Sequence, residues 1–445
     1  MYVLYTVLLI LIGCAMLPRL LWRSLQGAGY HRDLLERFGY GAALRTAMQQ
    51  AQGCLWFHAA SVGEIQGLQP IITSLRECFP TLPVVCSTFT PTGKMMAQRL
   101  IPEATSIFLL PFDLPWIMRR VVQRLRPRAV IVQETELWPH WFRAAAHRQV
   151  PVVLVNGRLS PRSMRRYVWI RRLMQHVLAD VTLLLVQSQE VARRFRRLGA
   201  AAHRLKIAGN TNIDRALLAA EQVRPAHALA PLVRDRRLLV AGSTHEGEET
   251  IFLEVYQRLR PHYPDLLLVI APRHMERIDA VVRHVQAAHC QPVRRSMCTS
   301  TEAASRAGLD HDHAVLILDT LGELAALYQL CTVAFVGGSL VPIGGHNILE
   351  PAVFAKPLLF GPHMHHFPEI AQMLCEVDGA VQVHTPEEVY TQVEGMLQHP
   401  DDAAALGQRA FQALQANRGA LVATRDALVA VLQRDVDDPA PPVGV

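Results

Sequence analysis

The sequence predicts an α/β protein built from two doubly wound, parallel-sheet domains. Three observations lead to this prediction: a length of 445 residues, a hydrophobic fraction of 50%, and short apolar runs that alternate with amphipathic stretches from about residue 54. A chain of this length exceeds one ordinary core, and its composition excludes a disordered or fibrous protein. Continuous apolar runs separated by helical stretches are typical of parallel strands buried on both faces.

The first element is an uncharged apolar segment at residues 1–18, and Arg19, Arg23 and Arg32 follow it. A bilayer-spanning helix needs about 17–25 apolar residues, and a basic flank favours the cytoplasmic side for the chain that follows. We expect residues 1–22 to form a membrane anchor that either spans the bilayer or lies in its interface. A buried core helix is the alternative. The segment lacks the basic start of a secretory signal.

The first domain is expected at residues 40–215. Its apolar runs predict strands at 54–60, 83–88, 105–110, 129–133, 151–156 and 181–187. The amphipathic segments between them predict helices, including 65–79, 115–126 and 164–179. Alternation of this kind indicates a doubly wound sheet.

The pattern fades at residues 216–236, which we interpret as a linker, and it restarts in a second domain at 237–434. Strands are predicted at 237–242, 266–271, 315–319, 332–337, 357–360 and 380–384. Helices are predicted at 246–260, 274–288, 322–330, 348–355, 386–397 and 402–434. Residues 435–445 are acidic and proline-rich, which favours a disordered tail.

Several common chemistries lack their sequence signature. No G-x-G-x-x-G follows the first strand and no P-loop motif occurs, so NAD-dependent redox chemistry and P-loop ATP hydrolysis are not supported. The eight cysteines form no C-x-x-C pair, which predicts reduced thiols. His363, His365 and His366 lack an orienting carboxylate pattern, and we interpret them as loop histidines, with no metal expected.

Four predicted strand ends in the second domain carry polar or glycine-rich loops. They contain Ser243-Thr244-His245, Pro272-Arg273, Leu321-Gly322-Glu323 and Gly344-Gly345-His346-Asn347-Ile348-Leu349-Glu350. Ligands of open α/β sheets bind beyond the carboxyl ends of the strands. Glycines that open a helix let backbone N–H groups approach an anion. The four loops together predict a nucleotide site, although helix capping explains any one of them.

The first domain carries a candidate general base. Glu64 ends the segment His58-Ala59-Ala60-Ser61-Val62-Gly63-Glu64, where the first strand passes into a helix. A carboxylate at this position can accept a hydroxyl proton, but a first-turn glutamate also complements the helix dipole. Glu134 and Glu136 follow another strand and are either catalytic or structural.

A basic segment lies between residues 137 and 179, with eight arginines and no acid. The chain as a whole has 45 basic and 38 acidic residues, a net charge of +7. A solvated helix, nucleic acid and anionic lipid headgroups all fit such a segment. Next to an anchor, and without a nucleic-acid motif, we favour lipid headgroups, each basic residue contributing about 1 kcal/mol.

Eight segments taken together resemble one family. They are H-A-A-S-V-G-E (58–64), E-T-E-L-W-P (134–139), N-G-R-L-S (156–160), A-G-S-T-H-E-G-E-E (241–249), A-P-R-H (271–274), D-T-L-G-E-L (319–324), G-G-S-L (337–340) and G-G-H-N-I-L-E-P (344–351). In this order they are similar to bacterial 3-deoxy-D-manno-octulosonic acid (Kdo) transferases of lipopolysaccharide synthesis. The resemblance runs from the anchor to about residue 400.

The resemblance implies a GT-B fold, in which two Rossmann-like domains face a cleft behind an N-terminal membrane-anchor helix. The implied reaction moves Kdo from CMP-Kdo, the donor substrate, onto the tetra-acylated, bisphosphorylated lipid A precursor (lipid IVA), with inversion and without a further cofactor. The implied location is the cytoplasmic face of the inner membrane, with anionic lipids as partners and no nucleic acid.

By motif, Glu64 is implied as the catalytic base. The donor contacts implied by motif are Pro272, Arg273, Leu321, Gly322, Glu323, Asn347, Ile348, Leu349 and Glu350. From the strand-end loops we also expect Ser243, Thr244, Gly345 and His346 to contact the donor, and we expect Ser61 and Arg158 to contact the acceptor. Pro342-Ile343 replaces the charged residue that the family often has before Gly-Gly-His-Asn. Another GT-B glycosyltransferase, a sugar-nucleotide epimerase and a non-enzymatic scaffold are the alternatives. The motifs leave open the number of Kdo residues added and the oligomeric state.

Overall fold

A computed structural model describes residues 1–26, 30–223, 229–233 and 236–437. The chain divides into two compact units: unit 1 is Met1–Arg215 with Gly419–Val445, and unit 2 is Ala216–Arg418. Each unit contains one seven-stranded sheet in which every neighbouring pair of strands is parallel. The predicted α/β class with two parallel sheets is therefore confirmed.

Unit 1 contains seven strands, which are β1 (Leu55–Ala59), β2 (Val84–Thr88), β3 (Ser106–Leu109), β4 (Ala129–Gln133), β5 (Val152–Gly157), β6 (Leu183–Val186) and β7 (Leu205–Ile207). Its helices up to the unit boundary are α1 (Tyr2–Gln26), α2 (Tyr30–Arg37), α3 (Ala42–Gln50), α4 (Val62–Cys78), α5 (Pro91–Leu100), α6 (Pro115–Leu125), α7 (Pro139–Ala146), α8 (Pro161–Trp169), α9 (Arg171–Ala179), α10 (Gln189–Leu198) and α11 (Thr211–Gln222), the last of which crosses that boundary.

The sheet of unit 1 has the order β3-β2-β1-β4-β5-β6-β7. The chain adds strands on one side of β1 and then returns to add β4 on the other side. This reversal makes the carboxyl ends of β1 and β4 neighbours, where ligands of doubly wound sheets bind. The strands are apolar because both faces of the sheet are covered: Trp56 and Phe57 are each fully buried and belong to cores on opposite faces.

Unit 2 contains β8 (Arg237–Thr244), β9 (Leu266–Pro272), β10 (Gln291–Arg294), β11 (Ala314–Ile317), β12 (Val333–Val336), β13 (Leu358–Phe360) and β14 (Val381–Gln382). Its helices are α12 (Glu248–Leu259), α13 (Ile278–Ala287), α14 (Thr301–Arg306), α15 (Leu324–Leu330), α16 (Leu349–Ala352), α17 (Pro368–Glu376), α18 (Pro386–Gln398) and α19 (Pro400–Ala416). The sheet order is β10-β11-β9-β8-β12-β13-β14, and the chain reverses between β8 and β12.

The last helix, α20 (Ala420–Asp437), belongs to unit 1. The Asp214 carboxylate accepts the backbone N–H groups of Gly419 at 2.8 Å and Leu421 at 3.2 Å. Leu428 and Leu432 are buried in the same core as the side chains of α4. We expected residues 237–434 to form one domain that ends in one helix over 402–434. The structure instead ends α19 before Gly419 (φ +109°) and returns the chain to unit 1.

Three smaller expectations also change. The helix expected over 164–179 is two helices that meet at Ile170. Residues 216–222 of the expected linker are helical, whereas residues 224–228 and 234–235 lie outside the described residues. Of the expected disordered tail 435–445, the first three residues end α20 and the others lie outside the described residues.

The expected spanning anchor at residues 1–22 is not seen. Residues 2–26 do form one helix, but within the part of the chain that the structure describes no helix is both long and apolar enough to cross a membrane. The first turns of α1 are hydrogen-bonded to other parts of unit 1. The Tyr2 hydroxyl donates to Asp180 Oδ2 at 3.0 Å, the Tyr5 hydroxyl donates to Asp113 Oδ2 at 3.0 Å, and Thr6 Oγ1 lies 2.8 Å from His140 Nε2.

Candidate active site

In unit 1 the predicted base is placed by the first strand-to-helix turn. β1 ends at Ala59 and Ser61 caps α4, its Oγ accepting Glu64 N–H at 3.4 Å. The Glu64 carboxylate folds back, with Oε2 accepting Ala60 N–H at 2.8 Å and Oε1 accepting the Ser61 hydroxyl at 3.0 Å. This is a variant of the capping box. Glu64 therefore caps the helix in this structure, and the same bonds hold its carboxylate at the sheet edge.

Two more carboxylates lie at the end of β4, and with Glu64 and His58 they form what we call the acidic edge. Burial raises the pKa of Glu64, and the Glu136 charge raises it further, against the Ala60 N–H, which lowers it. Burial also raises the pKa of Glu134 to about 7, although its Arg158 partner lowers it. Perturbed carboxylate pKa values cluster at functional sites, so the acidic edge is a candidate site.

Glu134 is held in an unusual backbone conformation. Its φ is +59°, and its Oε2 lies 2.6 Å from Arg158 Nε. Asn156, at the end of the neighbouring β5, has φ +51°. A left-handed conformation costs a non-glycine residue about 1–2 kcal/mol, and such strain concentrates at functional sites. Arg158, predicted to contact the acceptor, is thus an ion-pair partner of Glu134 within unit 1.

His58 and Glu136 complete the acidic edge. The His58 ring is fully buried, and its Nδ1 lies 3.0 Å from the Ser87 carbonyl, which only accepts hydrogen bonds. Nδ1 also lies 2.9 Å from the Ser87 hydroxyl, and Nε2 lies 3.9 Å from Glu136 Oε2. The Trp138 indole N–H donates to the same Glu136 oxygen at 3.1 Å. Sequence reasoning assigned His58 no role, and its place at the end of β1 is the one signal that could have indicated it.

A second feature that sequence reasoning missed is a buried polar cluster at the same ends of β4 and β5. Gln133, Asn156 and Thr211 are almost fully buried. Asn156 Oδ1 accepts Thr211 N–H at 3.2 Å. Both side-chain polar atoms of Gln133, Asn156 Nδ2 and Thr211 Oγ1 have no hydrogen-bond partner among the described residues. Buried polar groups are normally paired, so this cluster suits polar ligand atoms or ordered water.

In unit 2 the predicted donor residues follow four neighbouring strands. Ser243, Thr244 and His245 end β8, Pro272 and Arg273 end β9, residues 321–323 follow β11, and residues 337–350 follow β12. Because the sheet order is β11-β9-β8-β12, these loops share one edge. Arg273 is exposed there. Glu323 is already paired, with Oε1 at 2.8 Å from Arg295 Nη2, while Leu321 is exposed beside Gly322.

The loop after β12 is closed around a buried carboxylate, that of Glu248 at the start of α12. Its Oε2 accepts the N–H groups of His245 at 2.9 Å and Gly338 at 2.8 Å, and its Oε1 accepts those of Ser339 and Leu340, each at 3.0 Å. Burial raises the pKa of Glu248, and the four donors oppose that shift. The backbone N–H groups of residues 338–340 therefore donate to the Glu248 carboxylate and are not available to a ligand.

The structure contradicts the expectation that the backbone N–H groups of Gly344–Asn347 are available to bind an anion. Gly344 and Gly345 N–H both donate to the Gly338 carbonyl, at 3.1 and 2.7 Å, and His346 N–H donates to the Gly337 carbonyl at 3.1 Å. The helix that follows, α16, has four residues. The backbone N–H groups of residues 344–346 therefore already donate within the loop. Because α16 is so short, its helix dipole is small. Asn347 and Glu350 instead bond to each other, Nδ2 to Oε1 at 3.3 Å.

The most distinctive pair in unit 2 is His245 with His346. Their Nε2 atoms lie 2.8 Å apart, and the rings are nearly coplanar, with centroids 5.1 Å apart and 5° between the planes. Burial lowers the pKa of His346 to about 4, and burial also lowers the pKa of His245. Among the described residues no group of three or more His, Cys, Asp or Glu side chains forms a metal site.

Known proteins relate to this chain first through its fold. The putative UDP-N-acetylglucosamine 2-epimerase of Listeria monocytogenes matches with a TM-score of 0.60 and 15% identity, covering 89% of this chain and 100% of that one. The UDP-GlcNAc 2-epimerase of Neisseria meningitidis matches with 0.60 and 14%, covering 85% and 99%. Likeness at this identity establishes the fold, the two-domain α/β architecture of the GT-B type.

Sequence relatives then give the family. A model of the 3-deoxy-D-manno-octulosonic-acid transferase (kdotransferase) family matches residues 32–215. The 3-deoxy-D-manno-octulosonic acid transferase of Haemophilus influenzae is 36% identical over 417 residues, 93% of this chain and 94% of that protein. The one of Bordetella pertussis is 32% identical over 416 residues, 92% and 94%. The chain belongs to the Kdo transferase family and is a glycosyltransferase.

Proposed function

We propose that the protein transfers Kdo from CMP-Kdo to lipid IVA with inversion at the anomeric carbon, and that Glu64 is the general base. The observation that carries this proposal is the half-buried Glu64 carboxylate at the carboxyl end of β1. Two hydrogen bonds orient it, and burial raises its pKa. A base of raised pKa accepts a hydroxyl proton more readily than an ordinary glutamate does.

In the proposed step, an acceptor hydroxyl loses its proton to Glu64 as its oxygen attacks the anomeric carbon of Kdo. The bond from that carbon to the phosphate oxygen breaks, and CMP leaves with the electron pair. The charge of the Glu136 carboxylate raises the pKa of Glu64. That charge favours the protonated form of Glu64 that the step produces.

The donor is proposed to bind at the shared strand edge of unit 2. Arg273 is an exposed cation there, and His346 and Glu350 lie in the loop after the neighbouring β12. Thr244, also an expected contact, is buried, and its hydroxyl donates to Glu249 Oε1 at 2.9 Å. A guanidinium at this place stabilises the charge that develops on the leaving phosphate. The backbone N–H groups of residues 344–346 already donate within the loop. Side chains rather than these N–H groups therefore bind the phosphate.

The test exploits the capping role of Glu64. Glutamine serves at this position of a capping box as well as glutamate, so Glu64→Gln keeps the turn and removes the base. We expect the turnover of CMP-Kdo with lipid IVA, read as lipid products by mass spectrometry, to fall by about 10²–10⁴-fold. CMP binding should stay close to that of the unchanged protein.

The chain offers a matched control at α18. Thr385 caps that helix, and Glu388 Oε2 accepts His384 N–H at 2.8 Å, the same geometry as Glu64 with Ala60. Glu388→Gln should leave turnover unchanged. Near-normal turnover by Glu64→Gln would reject Glu64 as the base. Failure of the unchanged protein to extend the lipid, with CMP-Kdo intact, would reject the proposed substrates.

We also propose that unit 1 acts at the cytoplasmic face of the inner membrane. α1 exposes Leu4, Leu8 and Leu11, and Trp169 at the end of α8 is 90% exposed beside the arginines of α8 and α9. Apolar and aromatic side chains next to basic ones suit an anionic bilayer surface. Ser61 and Arg158 are the proposed acceptor contacts.

Vesicle flotation tests the membrane proposal. We expect the protein to float with vesicles that contain anionic lipid and to float less with zwitterionic ones. Trp169→Ser should weaken flotation, while Trp116→Ser, an exposed tryptophan of α6, should not. Equal flotation with both kinds of vesicle would contradict the contribution of the arginines.

A further inference from the structure

The geometry of the pair formed by His245 and His346 is that of an in-line hydrogen bond. The centroid separation of 5.1 Å exceeds the Nε2 separation of 2.8 Å by about two ring radii, and the planes differ by 5°. The rings therefore point at each other end to end and are not stacked face to face. In such an arrangement, one Nε2–H donates to the other Nε2.

The surroundings hold both rings in this arrangement. A Cβ placed on Gly338 would lie 3.0 Å from His346 Cδ2 and 3.4 Å from His245 Cδ2, so the Gly338 backbone packs against both imidazoles. The His274 ring meets His245 edge-on at 5.4 Å. The charges of Arg273, His274, Arg277, Glu249 and His366 shift the pKa values of the pair, and the Glu248 carboxylate accepts the His245 backbone N–H at 2.9 Å. Burial, which is the largest cause, and the nearby arginines favour two neutral rings while no anion is present.

Proton counting shows what such a pair can do. Two neutral rings carry two protons on four nitrogens: one proton lies between the Nε2 atoms, and the other is on Nδ1 of the accepting ring. A third proton goes to the vacant Nδ1 of the donating ring. The Nε2–H···Nε2 bond then remains and becomes charge-assisted, and both Nδ1 edges become donors. A fourth proton would place hydrogens on both Nε2 atoms and break the bond.

We propose that His245 and His346 are a proton-sharing pair that takes up one proton when an anionic nucleotide binds at this edge, and that His245 is a positioning residue for His346. This inference rests on the proposed donor site. The anion offsets the cationic surroundings that favour neutral rings, and the added proton comes from solvent. Nucleotide affinity should therefore rise as the pH falls, by up to about tenfold per pH unit.

The experiment is calorimetric titration of the full chain with CMP at about pH 6.5, in two buffers of different ionisation enthalpy. The difference in heat gives the number of protons taken up. His245→Gln places an amide where Nε2 was, so it keeps a hydrogen bond to His346 but cannot hold the proton. His262→Gln is the control, because His262 is exposed in the loop before β9, at the opposite edge of the sheet.

We expect proton uptake by the unchanged protein and by His262→Gln, and markedly less uptake by His245→Gln. Because all three proteins bind the same CMP, protonation of CMP itself cancels in this comparison. Equal uptake by all three proteins would overturn the inference and leave the donor site standing. No CMP binding by the unchanged protein would overturn both. Scalar coupling between the two Nε2 nuclei in nitrogen-15-histidine NMR spectra tests the hydrogen bond itself, and its absence would also overturn the pair.

Discussion

The first strand-to-helix turn of unit 1 and that of unit 2 each carry a glutamate, Glu64 and Glu248, with different partners. Within the part of the chain that the structure describes, the Glu64 carboxylate accepts hydrogen bonds only from its own turn. Glu248 accepts four backbone N–H groups, three of them from the loop after β12. At equivalent places in the two sheets, the unit 1 carboxylate is thus held by two local donors, whereas the unit 2 carboxylate is held by four donors and fixes the loop after β12. A carboxylate's role follows from how many donors already satisfy it.

The largest effect on stability should come from Glu248→Gln. The glutamine NH₂ group would face backbone N–H groups in place of an acceptor, and unpaired buried donors cost about 1–3 kcal/mol each. We expect the free energy of local unfolding to fall by about 2–5 kcal/mol. Hydrogen exchange at Gly338, Ser339 and Leu340 measures it. Glu64→Gln should lose little, and a similar loss in both variants would contradict the comparison.

The next effect is a pH dependence confined to the acidic edge. The pKa of Glu134 is raised from 4.5 to about 7, so the folded state holds its proton more tightly than the unfolded state. The stability this group contributes is present below about pH 4.5 and is lost as the pH rises through about 7, a change on the order of 1–3 kcal/mol. Denaturant unfolding across pH 5–8 should show this slope, and Glu134→Gln should flatten it. If the slope is unchanged in Glu134→Gln, the pH dependence of stability comes from another group.

A smaller effect separates backbone strain from contact with the histidine pair. Gly338 has φ +66° and packs against His346, while Gly53 in unit 1 has φ +73° and open space around it. Alanine should cost about 1–2 kcal/mol at either site from conformation alone. Only Gly338→Ala should also weaken CMP binding, because its methyl group displaces His346. Equal CMP affinity in the two variants would show that the ring tolerates the shift.

The smallest effect concerns the helix cap. Ser61→Ala removes the hydroxyl that caps α4 and bonds to Glu64, and we expect a loss of about 1 kcal/mol in stability, measured by urea denaturation. Thr385→Ala at α18 should cost about the same. Ser61→Ala should in addition lower turnover, because Glu64 loses an orienting bond. Equal turnover in both variants would limit Ser61 to capping.

The sequence predicted most strands because an apolar run buried on both faces is visible in the residues alone. It missed β7 (Leu205–Ile207) and β10 (Gln291–Arg294), which are edge strands with exposed or polar residues. It predicted helix over 402–434 but placed all of it in the second domain, because a local pattern indicates a helix and not which core the helix packs against.

The candidate site shows the same division. The position of Glu64, Arg273 and His346 at strand ends followed from the alternation of strands and helices. Their partners did not follow. The Gly337 and Gly338 carbonyls that take the amides of 344–346, and the distant loop that surrounds Glu248, are contacts across the fold. The coplanar meeting of His245 with His346, a hundred residues apart in sequence, was equally invisible.

The return of α20 to unit 1 has a consequence for biosynthesis. The ribosome makes residues 1–215, then all of unit 2, and only then the helix whose Leu428 and Leu432 complete the core beside α4. Unit 1 therefore emerges with an apolar groove that its own chain fills last. A nascent chain halted at the end of unit 2 would lack Leu428 and Leu432 and would leave that groove uncovered.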